Sequence, residues 1–113
     1  MDTAALSKSE HIRTLNDTCR RTFAGCSVMI TPTVQELGDE EKAQLLSAVR
    51  AFDRFDADND PHHEHDFGAI DLLGQKWFWK LDYYAPDMRM GSEEPDDPDK
   101  TRRVLTIMHA SEY

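Results

Sequence analysis

The segment Asn59-Asp60-Pro61-His62-His63-Glu64-His65-Asp66 sets three of the chain's five histidines among carboxylates. Imidazole both ligates divalent metals and exchanges protons near neutrality, and a neighbouring carboxylate can add an oxygen ligand or orient the ring. As a metal site, His62, His63, His65 and Asp66 would hold a divalent ion such as zinc. Asp60 or Glu64 would be further oxygen donors, and His109 or Asp82 would complete the set if the last strand lies beside the preceding hairpin. As an acid–base site, His65 with Glu64 or Asp66 would work beside Lys80 and Asp82. As structure, Asn59 and Asp60 would hold a turn, and His65 or Asp66 would satisfy backbone groups at the entrance to a strand. The spacing is not that of a helical His-Glu-x-x-His site, and there is no nucleophile elbow, phosphate-cradling glycine loop or cofactor fingerprint. The structural reading therefore leads, with no cofactor and no catalytic residues expected.

A second feature is charge. Twenty-two acidic against thirteen basic residues give a net charge of −9, which repels nucleic-acid phosphates and anionic lipid. A basic protein, or a protein groove that normally holds nucleic acid, is the better electrostatic match. The acids concentrate in the long loop Ala85–Asp99, at Glu93, Glu94, Asp96, Asp97 and Asp99. Asp56, Asp58 and Asp60 are expected to enlarge the same patch. Carboxylates spaced like phosphates could fill a cationic channel as a decoy, and these eight residues are the candidate partner-binding set. The loop's composition, with Pro86, Pro95 and Pro98, does not support a packed element, which points to a mobile or binding segment.

The elements that must position these groups follow from periodicity. Ser7 to Thr22 reads as a helix with Ile12, Leu15, Cys19 and Phe23 on one stripe, Arg13, Asp17, Arg20 and Arg21 off it, and Gly25 as the stop. Cys26 to Thr31 is a short strand and Thr33 to Gly38 a connector. Asp39 is the expected N-cap of a second helix whose stripe is Leu45, Leu46, Val49 and Phe52, with Phe55 extending it. After a polar loop over residues 56–66, Phe67–Leu73 and Lys76–Tyr84 form a hairpin about Gly74-Gln75. Trp77, Trp79, Leu81 and Tyr83 share its core face. Val104–Met108 closes the chain. The order α-β-α-β-β-β predicts one α+β domain over residues 1–113, a four-stranded, mainly antiparallel sheet with two helices packed on one face.

The aromatic strand is expected to serve packing rather than base stacking, which travels with basic grooves. No apolar run approaches the roughly 20 residues needed to cross a bilayer. Met1–Leu6 lacks the basic start of a secretory signal, and Cys19 and Cys26 are expected as free thiols. A cytoplasmic location follows. Nothing in the sequence shows how the sheet edges are protected, so a homodimer through an edge strand is a further expectation.

The blocks Phe52-Asp53-Arg54-Phe55, Asn59-Asp60-Pro61-His62, Glu64-His65-Asp66-Phe67-Gly68, Phe78 to Tyr84, Arg103 to Met108 and Glu112-Tyr113 together resemble a family of small proteobacterial proteins classed as a domain of unknown function. The resemblance covers nearly the whole chain. It implies frequency in alphaproteobacteria, plasmids and phages, where counter-defence genes cluster, and carries no catalytic residues over. With the charge pattern, it leads to an acidic, non-enzymatic binding protein that inhibits a host defence protein, of anti-CRISPR or antirestriction type. The alternative is a small metal-dependent hydrolase or metal-binding protein using the His62–Asp66 loop.

Overall fold

A computed structural model describes residues 7–113, so Met1–Leu6 and the reading placed on it lie outside the described residues. The elements are α1 (Lys8–Thr22), β1 (Ser27–Ile30), α2 (Pro32–Gln35), α3 (Asp39–Ala51), β2 (Phe67–Leu72), β3 (Gln75–Tyr84) and β4 (Arg102–His109), followed by a 3-10 turn at Ala110–Glu112. The strands form one four-stranded sheet in the order β1-β4-β3-β2. β4 runs antiparallel to β3 and β3 to β2, whereas β1 pairs with β4 in parallel. The sheet is thus mixed, and the fold is α+β as expected.

Period-two alternation assigns the faces. Trp77, Trp79 and Leu81 of β3 are buried with Leu105 and Ile107 of β4 and Ile70 of β2, against Cys19 of α1, Val34 of α2 and Leu45 and Val49 of α3. The opposite face carries Phe78, Lys80 and Asp82, with Tyr113, just after the C-terminal 3-10 turn, packed edge-on against Phe67 and Phe78. Gly68 is fixed by this core: a Cβ there would lie 2.4 Å from Trp79 Nε1 and 2.8 Å from Phe52 Cζ. Only a residue without a side chain lets the indole lie on the β2 backbone.

Several local expectations are corrected. Gly38, not Asp39, is the N-cap of α3, because Glu41 reaches back to the Gly38 N–H while Asp39 occupies the first turn. The region read as a connector contains α2, started by Pro32 with its fixed φ. α1 ends at Phe23, which takes the left-handed cap with φ 59° two residues before Gly25. The hairpin turn is Leu73-Gly74, both at positive φ (57° and 71°), the geometry that matches the twist of a two-residue hairpin. Arg20 is fully buried rather than off the apolar stripe.

Cys19 and Cys26 are not free thiols; they form a disulfide with Cα atoms 5.7 Å apart. The left-handed turn at Phe23 folds the chain back so that the end of α1 meets the approach to β1. Closing so short a loop stabilises the fold by about 2–3 kcal/mol on a chain-entropy account.

Candidate functional site

The histidine loop is built as a chain of turns. Asp56 Oδ1 accepts from the N–H groups of Asp58 (2.9 Å) and Asn59 (3.0 Å), while Asn59 Oδ1 accepts from the Asp56 N–H at 2.9 Å. These are the Asx turns that short acidic and amide side chains form with nearby backbone. Asp60 then turns inward, only 3 % exposed, and its Oδ1 accepts from the His65 N–H at 3.0 Å. His63 and His65 both adopt positive φ, 59° and 55°, which folds the segment back on itself.

His65 is the centre of this loop, and its ring meets Phe55, Asp17 and Asp60. It stacks on Phe55 with centroids 3.7 Å apart and planes 4° from parallel. Nδ1 donates to Asp17 Oδ1 at 2.8 Å, and Nε2 lies 3.6 Å from Asp60 Oδ2. Asp17 also accepts from Arg20 Nη2 at 3.1 Å. Arg20 Nη1 in turn donates to the carbonyls of Val49 (3.2 Å), Arg50 (3.1 Å) and Phe52 (2.7 Å). These carbonyls lie at the end of α3, where only that of Val49 also accepts a backbone N–H, from Phe52, and a buried cation complements both their lone pairs and the negative helix end. The guanidinium sits over Trp79 and Phe55, 5.2 and 5.5 Å from their centroids. Burial pushes the Arg20 pKa down, opposed by Asp17. One continuous clasp therefore runs from the histidine loop through α1 to the end of α3.

A second polar line lies beside it. Asn16 is fully buried on α1; its Nδ2 donates to the Glu64 carbonyl (2.9 Å) and to Tyr83 Oη (2.7 Å), and its Oδ1 accepts from Arg103 Nε at 2.6 Å. Tyr83 donates onward to Glu64 Oε1 at 3.0 Å. Arg103, 4 % exposed, stacks over Tyr83 and donates its Nη2 to the Pro95 carbonyl. Burial drives the Tyr83 phenol far above its ordinary pKa, with the Glu64 and Asp66 charges adding to the rise. It also lowers that of Arg103. Asp66 is raised, first by burial and then by Glu64. So one asparagine ties the histidine loop, β3, β4 and the acidic loop together.

The proposed chemical partners of the histidines are elsewhere. Lys80 and Asp82 point to the opposite sheet face, where they pair with each other at 3.0 Å. His109 lies at the far end of β4 beside Trp77, and its Nδ1 accepts from the Ser111 N–H. Neither Asp82 nor His109 can join His65, because alternation and strand length carry them to the other face and the other end. His62 and His63 are exposed. Among the described residues, no group of three or more His, Cys, Asp or Glu side chains is arranged to hold a metal ion.

The acidic loop is the outward counterpart. It joins the end of β3 to the start of β4, and the histidine loop enters β2 at that same end of the sheet. Asp56, Asp58, Glu93, Glu94 and Asp99 are exposed, Asp96 and Asp97 half-buried; Asp60 alone of the eight acids is inside and faces no partner. The loop is held by its own bonds. Thr101 Oγ1 donates to the Glu94 carbonyl (2.7 Å), the Ser92 and Thr101 hydroxyls meet at 2.8 Å, and Asp97 Oδ1 caps the Asp99 N–H at 2.9 Å. Lys100 pairs with Glu94 at 2.9 Å, which raises the lysine pKa.

Sequence reasoning missed Asn16, Asp17, Arg20 and Arg103, which do most of the holding. Their one visible signal was helical spacing: Asn16 and Arg20 follow Ile12 at four-residue steps and so share its buried side. No helix of the described residues is long and apolar enough to cross a membrane. No curated protein and no solved structure matches the chain. A family model does match, from Ile30 onward, so that α1 and its half of the clasp precede the matched residues. With residues 30–112 covered, the chain belongs to the family described as proteins of unknown function (DUF3768).

Proposed function

We propose that this chain is a non-enzymatic binding protein whose contact surface is the acidic end of the sheet. The observation that carries the reading is the division between the two loops there. One uses His65, Asp60 and Glu64 to lock the fold, and the other presents Glu93, Glu94 and Asp99 outward, with Asp56 and Asp58 at the same end of the sheet. A preformed row of carboxylates meets a cationic groove with little ordering cost, and its charge steers association. The fitting partner is a protein that normally holds nucleic acid. On this reading the chain comes from a plasmid or phage and blocks a host defence nuclease in the cytoplasm, in the manner of an anti-CRISPR or antirestriction protein. In that compartment the Cys19–Cys26 bridge would be open to reduction, because cytosolic thiols are kept reduced. Metal-dependent hydrolysis fits the geometry less well, since His65 Nδ1 is already bonded to Asp17.

The test is co-expression with restriction and CRISPR effector nucleases, followed by phage plating and by competition between the chain and DNA for the purified nuclease. The triple reversal Glu93→Lys, Glu94→Lys, Asp99→Lys is expected to abolish protection while leaving the melting curve in place. Protection that survives the triple reversal would remove the acidic surface from the account.

A further inference from the structure

The two edges of the sheet are built differently. β1 is four residues long and ends at Thr31-Pro32, a short edge of the kind that resists pairing. β2 runs for six residues, Phe67-Gly68-Ala69-Ile70-Asp71-Leu72, with no proline or lysine and in unbroken register with β3. The Leu81 N–H donates to the Asp66 carbonyl, and the tight turn makes Leu72 and Gln75 a hydrogen-bonded pair. By alternation, Gly68, Ile70 and Leu72 bond inward to β3, so the N–H and C=O groups of Phe67, Ala69 and Asp71 point away from the sheet. None of these groups bonds elsewhere in the described residues.

Beside this open edge lies a groove of about 280 Å³ between the end of α3 and β2. Its apolar lining is Ala48, Ala51, Phe52 and Ile70, and it carries both charge signs, with Arg54 and Asp71 on its walls. Arg54 is in no ion pair among the described residues, and Asp71 has only a loose contact with Lys76 at 3.8 Å.

We infer that the β2 edge is the pairing surface for a second copy of this chain. Set antiparallel about a two-fold axis at Ala69, the two strands place Ala69 opposite its partner's Ala69 and Phe67 opposite the partner's Asp71. All three outward residues then exchange N–H and C=O bonds in pairs. The Phe67 end is where the segment after α3 packs, since Phe52 abuts Gly68. The partner's Asp71 side chain then lies beside Phe67 on the face away from α3, where alternation places both. The small side chains of Ala48 and Ala51 let the helix layers approach as the sheets join. An unbroken edge whose outward residues are centred on Ala69 is complementary to its own two-fold image, which is why a second copy fits it. The shared edge is about 20 Å long and two layers deep, on the order of 1,000 Å² in total, the size class of weak, concentration-dependent association.

Sedimentation of the intact chain from about 1 to about 500 µM tests this, with the expected result a monomer–dimer equilibrium. Ala69→Pro removes only an outward N–H and is expected to weaken association about tenfold or more; Ala69→Lys, which sets two ammonium groups at the axis, should do the same. In a parallel experiment Ala69→Cys should cross-link under mild oxidation and Leu73→Cys should not. A chain that stays monomeric throughout, or a dimer indifferent to both substitutions and cross-linked equally through either cysteine, would overturn the inference.

Discussion

The histidine loop and the acidic loop sit at one end of the same sheet, are similarly polar, and are used in opposite ways. In the first, His65 and the Glu64 carbonyl face inward because α1 brings groups to meet them: Asp17 to His65, Asn16 to the Glu64 carbonyl. The acidic loop is instead gripped mainly at its backbone, by Arg103 at Pro95 and Thr101 at Glu94, so Glu93, Glu94 and Asp99 stay exposed. Density of chemical groups in sequence therefore does not distinguish a site from a brace. What distinguishes them is what the neighbouring elements deliver.

The sharpest way to break the comparison is to remove the inward partner. Arg20→Ala takes a buried donor from the carbonyls of Val49, Arg50 and Phe52 and from Asp17 and should cost about 3 kcal/mol or more, read by denaturant unfolding. Gly68→Ala forces a methyl against Trp79 and Phe52 and is expected to cost about 2–3 kcal/mol by the same measurement. Reduction of Cys19–Cys26 should cost about 2–3 kcal/mol, so the melting temperature should fall when reductant is added.

How much of this was legible depended on the range of the interaction that decides it. The stripes of α1 and α3 and the core face of β3 are local repeats, and Ile12, Leu45, Val49, Trp77 and Trp79 are buried as their spacing requires. Arg20 was misread because charge was taken to mean exposure, whereas the carbonyls it serves come from α3, about thirty residues away. The disulfide was missed for a related reason. Separate assignment of Cys19 to a helix and Cys26 to a strand ignored the left-handed turn at Phe23 that brings them together. The parallel pairing of β1 with β4 joins opposite ends of the chain and leaves no periodic trace. The acidic loop was located correctly from composition, but the turn-forming roles of Asp56, Asp97 and Ser92 were not, since they depend on which backbone N–H each side chain meets.

Smaller effects sharpen the contrast. Asp66 has its carboxyl pKa raised by burial and by Glu64, so the folded state holds that proton more tightly than the unfolded chain does. Its contribution to stability accordingly falls as pH rises from the ordinary carboxylate value through the folded one. Asp66→Asn should stabilise the domain at neutral pH, with the gain shrinking as the pH falls, so that the acid limb of a stability–pH profile becomes steeper. Reversal of Glu93, Glu94 and Asp99 should change stability by no more than about 0.5 kcal/mol.

The most direct test of the division between the loops is to melt His65→Ala and the triple reversal of Glu93, Glu94 and Asp99 to lysine side by side. His65→Ala loses the bond to Asp17 and the stack on Phe55, about 1–2 kcal/mol together, and should melt several degrees lower while the reversal melts with the parent chain. A His65→Ala protein as stable as the parent, or a reversal that unfolds the domain, would contradict the account.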